Sequence, residues 1–89
     1  MTDDIDVKRV RWHSRRGMLE LDVLLLPFAE TVYPTLAADD QARYRQLLEC
    51  EDPDMFTWFL EHQIPQDADL ARIVALVLEH AQVVAKAAR

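Results

Sequence analysis

The stretch "RRGMLELD", residues 15–22, decides the fold because it contains the single glycine of an 89-residue chain. Glycine adopts the left-handed αL conformation at little cost, whereas other residues lose about 1 kcal/mol or more there. Gly17 therefore suits the position just after the end of a helix. Two arginines precede it, in the last turn of one helix, and two acids, Glu20 and Asp22, follow it, in the first turn of the next. Cations at the end of a helix and anions at its start both interact favourably with the helix dipole. The stretch predicts an abrupt corner between two helices.

Hydrophobic periodicity divides the rest of the chain into further helices. The predicted helices cover about residues 6–16, 18–33, 39–50, 53–62 and 67–86. Aspartates are expected to cap their starts, namely Asp4 or Asp6, Asp39, Asp52 and Asp67. Pro27 should kink or restart the second helix because it lacks a backbone donor. The predicted fold class is all-α, a compact five-helix bundle that forms a single domain over residues 1–89, with its core in about 6–86.

The core of this bundle is predicted from apolar side chains at helical spacing. The first helix offers only a narrow stripe, made of Val7, Val10 and Ser14. In the third and fourth helices the inward positions are expected to be Tyr44, Leu47, Leu48, Met55, Phe56, Phe59 and Leu60. In the fifth they are Leu70, Ile73, Val74, Val77, Leu78 and Ala81.

Composition supports a folded globular domain without a membrane span. Apolar residues make up 51% of the chain, and one glycine with four prolines leaves few turns for a sandwich or barrel. The longest apolar run, residues 23–29, is far shorter than the roughly 20 residues that a membrane helix needs. The acidic amino terminus resembles neither a secretory signal nor a transit peptide. We expect a cytoplasmic protein, without membrane insertion, that is a monomer when free.

Charge is concentrated in one short segment. Residues 8–16 contain five basic residues and no acid, whereas the rest of the chain has five basic and sixteen acidic residues. The acidic body would repel phosphate, which argues against nucleic-acid binding. A protein partner with a complementary patch fits better. Trp12, among these arginines, is either an interface anchor or a packing residue.

The chain lacks the usual catalytic and metal-binding motifs. One glycine excludes a phosphate-binding loop and a nucleophile elbow. The three histidines lack metal-ligand spacing, and Cys50 has no second cysteine to pair with. We therefore predict no catalytic residue, no metal site and no tightly bound cofactor. A corner bearing Arg16, Gly17 and Glu20 remains as a candidate surface, because glycine lets a partner approach closely between two charges.

Two segments, "RVRWHSRRGMLELDVLLLPF" and "LLECEDPDMFTWFL", resemble the SdhE/YgfY family of FAD assembly factors. The RGxxE motif of this family matches Arg16, Gly17 and Glu20. The basic helix with tryptophan that precedes the motif matches Arg9, Trp12 and Arg15, and Asp22 follows it as in the family. The resemblance covers about residues 8–65, and the last helix matches in pattern only.

The resemblance implies a five-helix protein that binds the flavoprotein subunit of succinate dehydrogenase, and also that of fumarate reductase if it is a client. It would promote covalent attachment of FAD to that subunit, as a chaperone rather than an enzyme. The site residues that it implies for the partner are Arg16, Gly17, Glu20, Arg9, Trp12, Arg15 and Asp22. An alternative, also from relatives of the family, is an antitoxin paired with a small membrane-associated toxin.

Overall fold

The computed structural model describes residues 4–87, which form five α-helices and one short 3₁₀ helix, with no strand among these residues. The α-helices are α1 (Asp4–Ser14), α2 (Leu19–Thr31), α3 (Ala38–Leu48), α4 (Asp52–Phe59) and α5 (Ala68–Ala87). The 3₁₀ helix is Tyr33–Thr35. The predicted all-α bundle of five helices is confirmed.

The core lies where α2 and α3 meet the other helices. α1 lies against α2, α3 lies along α5, and α2 also contacts α4 and α5. The largest side chains that are fully buried are Phe28, Tyr33 and Tyr44, and the Phe28 and Tyr44 rings lie 5.2 Å apart. The other buried apolar residues are Val10, Leu21, Leu25, Ala29, Leu47, Leu48, Met55, Phe59, Ile73, Val74 and Val77.

A buried pair of hydroxyl groups joins α1 to α3. Ser14 donates to the Val10 carbonyl at 2.7 Å, and its oxygen also lies 2.7 Å from the Tyr44 hydroxyl. The Tyr44 hydroxyl is also 3.3 Å from the carbonyl of Leu25 in α2. Burial raises the pKa of Tyr44 far above its ordinary value, so this hydroxyl keeps its proton. The narrow stripe predicted for the first helix is confirmed, since Val10 and Ser14 are buried.

Pro27 lies inside α2 and does not end it. A proline leaves the carbonyl four residues earlier without its helical donor. Here that carbonyl belongs to Val23, a residue that is 58% exposed. α2 ends at Thr31, two residues earlier than predicted, and Pro34 lies within the 3₁₀ helix that follows.

One of the predicted aspartate caps is confirmed and two are wrong. Asp67 accepts hydrogen bonds from the backbone N–H groups of Asp69 and Leu70, at 2.8 and 3.1 Å. α3 and α4 instead begin after Ala37 and Glu51, with no side-chain cap. Asp39 and Asp52 therefore lie in the first turn, where a carboxylate still favours the helix dipole.

The remaining predicted cap, Asp4 or Asp6, concerns the start of α1. Asp6 is the third residue of α1, and its carboxylate accepts a hydrogen bond of 2.8 Å from the Tyr33 hydroxyl. Asp6 therefore links α1 to the 3₁₀ helix. The side chain of Asp4, the alternative cap, lies outside the described residues.

α4 ends earlier than predicted because Glu61 turns the backbone into the αL region, at φ 61°. The N–H groups of Glu61 and His62 bond to the carbonyls of Trp58 and Thr57, at 3.0 and 3.1 Å, which is the Schellman pattern. Leu60 consequently lies outside the helix and is 47% exposed, so its predicted place in the core is wrong.

A charged network joins α3 to α5. The buried carboxylate of Asp40 accepts two hydrogen bonds from Arg72, at 2.8 and 2.9 Å, and one from Arg43 at 2.9 Å. Arg43 also contacts Asp69 at 2.8 Å. Hydrogen bonds from Arg72 and then from Arg43 hold the pKa of Asp40 below its ordinary value.

Replacing Glu61 by glycine should stabilise the protein by about 1 kcal/mol, because glycine adopts the αL conformation without the cost that Cβ imposes. For a domain of this size, that gain raises Tm by about 4–8 °C. The measurement is thermal unfolding followed by circular dichroism. Glu61→Ala is the control, since it removes the charge but keeps Cβ. An equal gain for the alanine variant would contradict this explanation.

Asp40→Asn should lower the free energy of unfolding at pH 7. A carboxyl with a lowered pKa contributes stability that is fully present above its unfolded pKa of about 4 and is lost as pH falls through the folded pKa. The difference between wild type and variant should therefore narrow as pH falls from about 4 towards 2. Urea titrations at several pH values measure it, and Asp39→Asn, an exposed neighbour, is the control. A difference that stays constant down to pH 2 would sink the prediction.

Candidate functional site

The corner between α1 and α2 is built from residues 15–18. The Arg15 N–H bonds to the Trp12 carbonyl at 3.2 Å, and Gly17 has φ +82°, as the sequence predicted. The Asp22 carboxylate accepts the backbone N–H of Arg16 at 2.8 Å. Since the residue before α2, Met18, gives no side-chain cap, Asp22 fixes the turn from within the helix.

The Arg16 side chain points into the protein and is only 14% exposed. Its Nε donates to Asp52 at 2.8 Å, and Nη1 donates to the Leu48 carbonyl at 2.9 Å. Nη2 donates to the Cys50 carbonyl at 3.1 Å, and Nη1 also reaches the carbonyl of His13 at 3.1 Å. The expectation that Arg16 offers an exposed guanidinium is therefore wrong. The end of α3 has carbonyl groups without helical partners, and a cation there is favoured.

Gly17 and Glu20 are the exposed part of the motif. A Cβ placed on Gly17 would have no atom within 4 Å from any described residue beyond its two chain neighbours, so the backbone conformation is what favours glycine here. Glu20 is exposed, and its carboxylate has no hydrogen bond or ion pair with any other residue in 4–87. Both therefore face open space beside the corner.

The basic face of α1 is exposed and includes a solvent-exposed tryptophan, Trp12. Trp12 is 79% exposed, which excludes the alternative that it packs in the core. Arg9 and Arg15 are exposed and have no ion pair within the described residues, whereas Arg11 contacts Glu30 at 2.7 Å. Surface pairs of this kind contribute little to stability, so they compete weakly with a partner.

Two concave surfaces flank Trp12. A smaller one, of about 390 Å³, is lined by Trp12, Arg15, Arg16 and Gly17. A larger groove of about 780 Å³ runs between α1 and α2. Its lining includes Lys8, Arg11, Trp12, Leu19, Asp22 and Val23.

Two exposed aliphatic residues of the larger groove, Leu19 and Val23, were not predicted from the sequence to face outward. Leu19 is 73% exposed and Val23 is 58% exposed. Because α2 is apolar on most of its circumference, periodicity alone did not show which leucine and valine side chains face outward.

The structure brings most of the predicted site residues to one surface. Trp12, Arg15 and Gly17 share the smaller concavity, and Asp22 lines the larger groove. Arg9 and Glu20 are exposed but line neither surface. The Arg16 side chain is directed away from this surface and contacts the α3–α4 segment. There it bonds to Asp52, which was not predicted from the sequence as a site residue.

The surface offers binding groups rather than an evident reaction centre. No group of three metal-ligating side chains occurs among residues 4–87. Burial raises the pKa of the half-buried Cys50 thiol, which disfavours the nucleophilic thiolate at neutral pH. What the described surface combines is an exposed aromatic ring, aliphatic side chains and unpaired cations, a composition common in protein interfaces.

Fold and surface together define a small helical bundle with an exposed surface of aromatic, aliphatic and basic side chains. None of its helices within residues 4–87 is both long and apolar enough to cross a membrane. The family model described as flavinator of succinate dehydrogenase matches residues 8–81. The chain belongs to this family, as its motifs predicted.

Relatives named FAD assembly factor SdhE match most of the chain. The FAD assembly factor SdhE of Pseudomonas aeruginosa is 61% identical over 82 residues, which cover 92% of this chain and 98% of that protein. The protein of the same name from Pseudomonas syringae pv. syringae is 52% identical over the same shares. That from Shewanella oneidensis is 51% identical over 82% of this chain and 89% of the relative.

Gly17→Ala should lower the free energy of unfolding by about 1 kcal/mol, because alanine is disfavoured at positive φ. Gly17→Asn should cost less, since asparagine tolerates the αL conformation and its Cβ meets no atom within 4 Å. Chemical denaturation of both variants measures the two costs. A larger loss for asparagine than for alanine would show that space rather than φ limits this position.

Proposed function

We propose that this protein is a FAD assembly factor that binds the flavoprotein subunit of succinate dehydrogenase and promotes its covalent flavinylation. The observation that carries the proposal is the family match over residues 8–81, in a chain whose RGxxE motif forms an exposed corner. The flavoprotein of fumarate reductase is a second client that the same assay can include.

The docking surface in this proposal is the corner together with the basic face of α1. Trp12 is the central anchor, because tryptophan among arginines is typical of interface hot spots. Arg9 and Arg15 attract an acidic segment of the partner and speed its association. Glu20 adds one charge of opposite sign, which fixes the orientation of the partner.

Gly17 leaves room for the partner in this arrangement. Apart from its chain neighbours, no described residue lies within 4 Å of the place where its Cβ would be, so these residues do not need that space empty. A partner backbone or a flavin ring can approach a bare glycine closely. We infer that Arg16 and Asp22 hold this glycine in place, with the hydrogen bond between them shaping the turn.

The factor contributes orientation rather than a reacting group. Covalent attachment is then a reaction of the flavoprotein and its own bound FAD, which the factor holds in a productive arrangement. Correct orientation is worth several kcal/mol of barrier, and about 7–11 kcal/mol in the most favourable intramolecular reactions. We expect no enzymatic activity of the factor alone.

Free FAD should not bind tightly to this protein. A dinucleotide-binding loop needs several glycines, and this chain has one. Isothermal titration with FAD that gave micromolar or tighter affinity would refute this part of the proposal. A cytoplasmic location and a monomeric free state stay predictions. The antitoxin alternative gains no support from the family match or from the names of these relatives.

The decisive test coexpresses this protein with the flavoprotein subunit in a bacterial strain that lacks its own assembly factor. Covalent flavin is measured by fluorescence of the subunit in a denaturing gel. Gly17→Asn and Glu20→Ala should fold and yet reduce covalent flavin about tenfold or more. Trp12→Ala should weaken binding about 30-fold, as expected for an anchor worth about 2 kcal/mol.

Matched controls separate the docking surface from the rest of the protein. Ile64 is 80% exposed, almost as much as Trp12, so Ile64→Ala removes an exposed apolar side chain elsewhere. Glu79→Ala removes an exposed carboxylate of α5 as a counterpart of Glu20→Ala. Both controls should support normal flavinylation. Unchanged covalent flavin in the absence of this protein would refute the proposed function.

A further inference from the structure

Asp52 and Arg16 form a contact whose position suggests a role beyond stability. Asp52 opens α4, and Arg16 lies directly before the glycine of the corner. We propose that Asp52 is a positioning residue, which acts through Arg16 to set the shape of the corner that the partner meets. The inference rests on the proposed function, because it concerns the same docking surface.

The hydrogen bonds of Arg16 leave little of its side chain for a partner. A guanidinium has five N–H donors, and four hydrogen bonds within the protein already engage it. Its side chain is 14% exposed, whereas Trp12 beside it is 79% exposed. Releasing the guanidinium to a partner would leave the Leu48 and Cys50 carbonyls without this donor, which is costly for groups that are partly buried.

The same contacts anchor the corner to a distant part of the chain. Asp52 follows Arg16 by 36 residues, and the link between them has an Nε–Oδ1 distance of 2.8 Å. The backbone N–H of Arg16 is bound by Asp22, and its side chain also bonds to the His13 carbonyl. Arg16 is thus held by α1, by α2 and by the segment that joins α3 to α4. Any shift of Arg16 must move Gly17, the next residue.

Asp52 is free for this task because it does not cap its helix. The residue before α4 is Glu51, and no side chain caps that helix end. The Asp52 side chain is 31% exposed and accepts the Nε–H of Arg16 instead. This geometry distinguishes Asp52 from Glu49, an exposed acid of the segment that joins α3 to α4, whose carboxylate has no hydrogen bond or ion pair in the described residues.

Two roles for Arg16 predict opposite behaviour of Asp52. If Arg16 contacts the partner directly, removing Asp52 frees the guanidinium, so affinity should stay the same or rise. If Arg16 acts by positioning the corner, removing either residue disturbs the same geometry. The two substitutions then do not add, because residues that act as one unit show strong coupling.

The test is a double-mutant cycle on binding to the purified flavoprotein subunit and on the rate of covalent flavinylation. The variants are Arg16→Gln, Asp52→Ala and the double substitution. Each single variant should weaken binding about tenfold. The affinity of the double variant should equal that of the single variant that binds less tightly. Asp52→Asn should recover affinity to within about threefold of wild type, because its amide oxygen still accepts the Nε–H.

The single glycine supplies a direct structural readout. The Gly17 amide is the only glycine amide in the chain, so its signal in a ¹⁵N–¹H NMR spectrum is readily recognised. This signal should shift in Arg16→Gln and in Asp52→Ala, and stay near its wild-type position in Asp52→Asn. Glu49→Ala is the matched control, for which both signal and affinity should remain unchanged. If Asp52→Ala does not fold, Asp52→Gln replaces it. Its side chain is one methylene longer than that of Asp52→Asn, and the same shift of the Gly17 signal is expected.

Two results would overturn the inference. One is wild-type or higher affinity of Asp52→Ala, or of its replacement, together with loss in Arg16→Gln. The other is full additivity in the double variant. Failure of the proposed function gives a different pattern, in which Gly17→Asn and Glu20→Ala leave binding and flavinylation intact. If those two variants are defective while Asp52→Ala is normal, the docking surface stands and only the role of Asp52 is refuted.

Discussion

The carbonyl groups of Leu48, at the end of α3, and of Cys50, just beyond it, accept hydrogen bonds from the guanidinium of Arg16. Its bonds to Leu48 and Cys50 close the end of that helix, while the bond to Asp52 fixes the start of α4. Because the same residue lies in the turn between α1 and α2, one side chain joins two helical corners. This junction and the narrow buried stripe of α1 both hold α1 against the core.

That junction explains how α1, which buries only a narrow stripe of side chains, can leave the rest of its surface exposed. α1 buries Val10 and Ser14, and most of its other side chains face solvent. A helix with so little apolar contact gains little from burial, at about 25 cal/mol per Å² of apolar area. Two hydrogen bonds also hold α1 in position. One joins the Ser14 and Tyr44 hydroxyls, and the other joins the Asp6 carboxylate to the Tyr33 hydroxyl. The rest of α1 is therefore free to carry Trp12 and unpaired cations.

The helices, the αL glycine and most of the core followed from sequence, because periodicity, proline and glycine act locally. The exposed position of Leu60 did not, since it depends on the αL turn at Glu61, and a non-glycine residue gives no sign of that turn in the sequence. Asp52 was expected to cap α4, and its link to Arg16 spans 36 residues. A contact at that separation depends on tertiary packing, which no local pattern encodes.

The predicted site residues divide in the same way. Trp12, Gly17 and Glu20 are exposed. They could be predicted as site residues because a cluster of charges and a single glycine can be read directly from the sequence. Arg16 looked equivalent to its neighbours, yet the structure turns its side chain inward. The motif therefore combines two kinds of residue, those that face outward and those that hold the corner. The buried guanidinium of Arg16 and the exposed Gly17 are neighbours in one turn, so the position of the first constrains the backbone of the second.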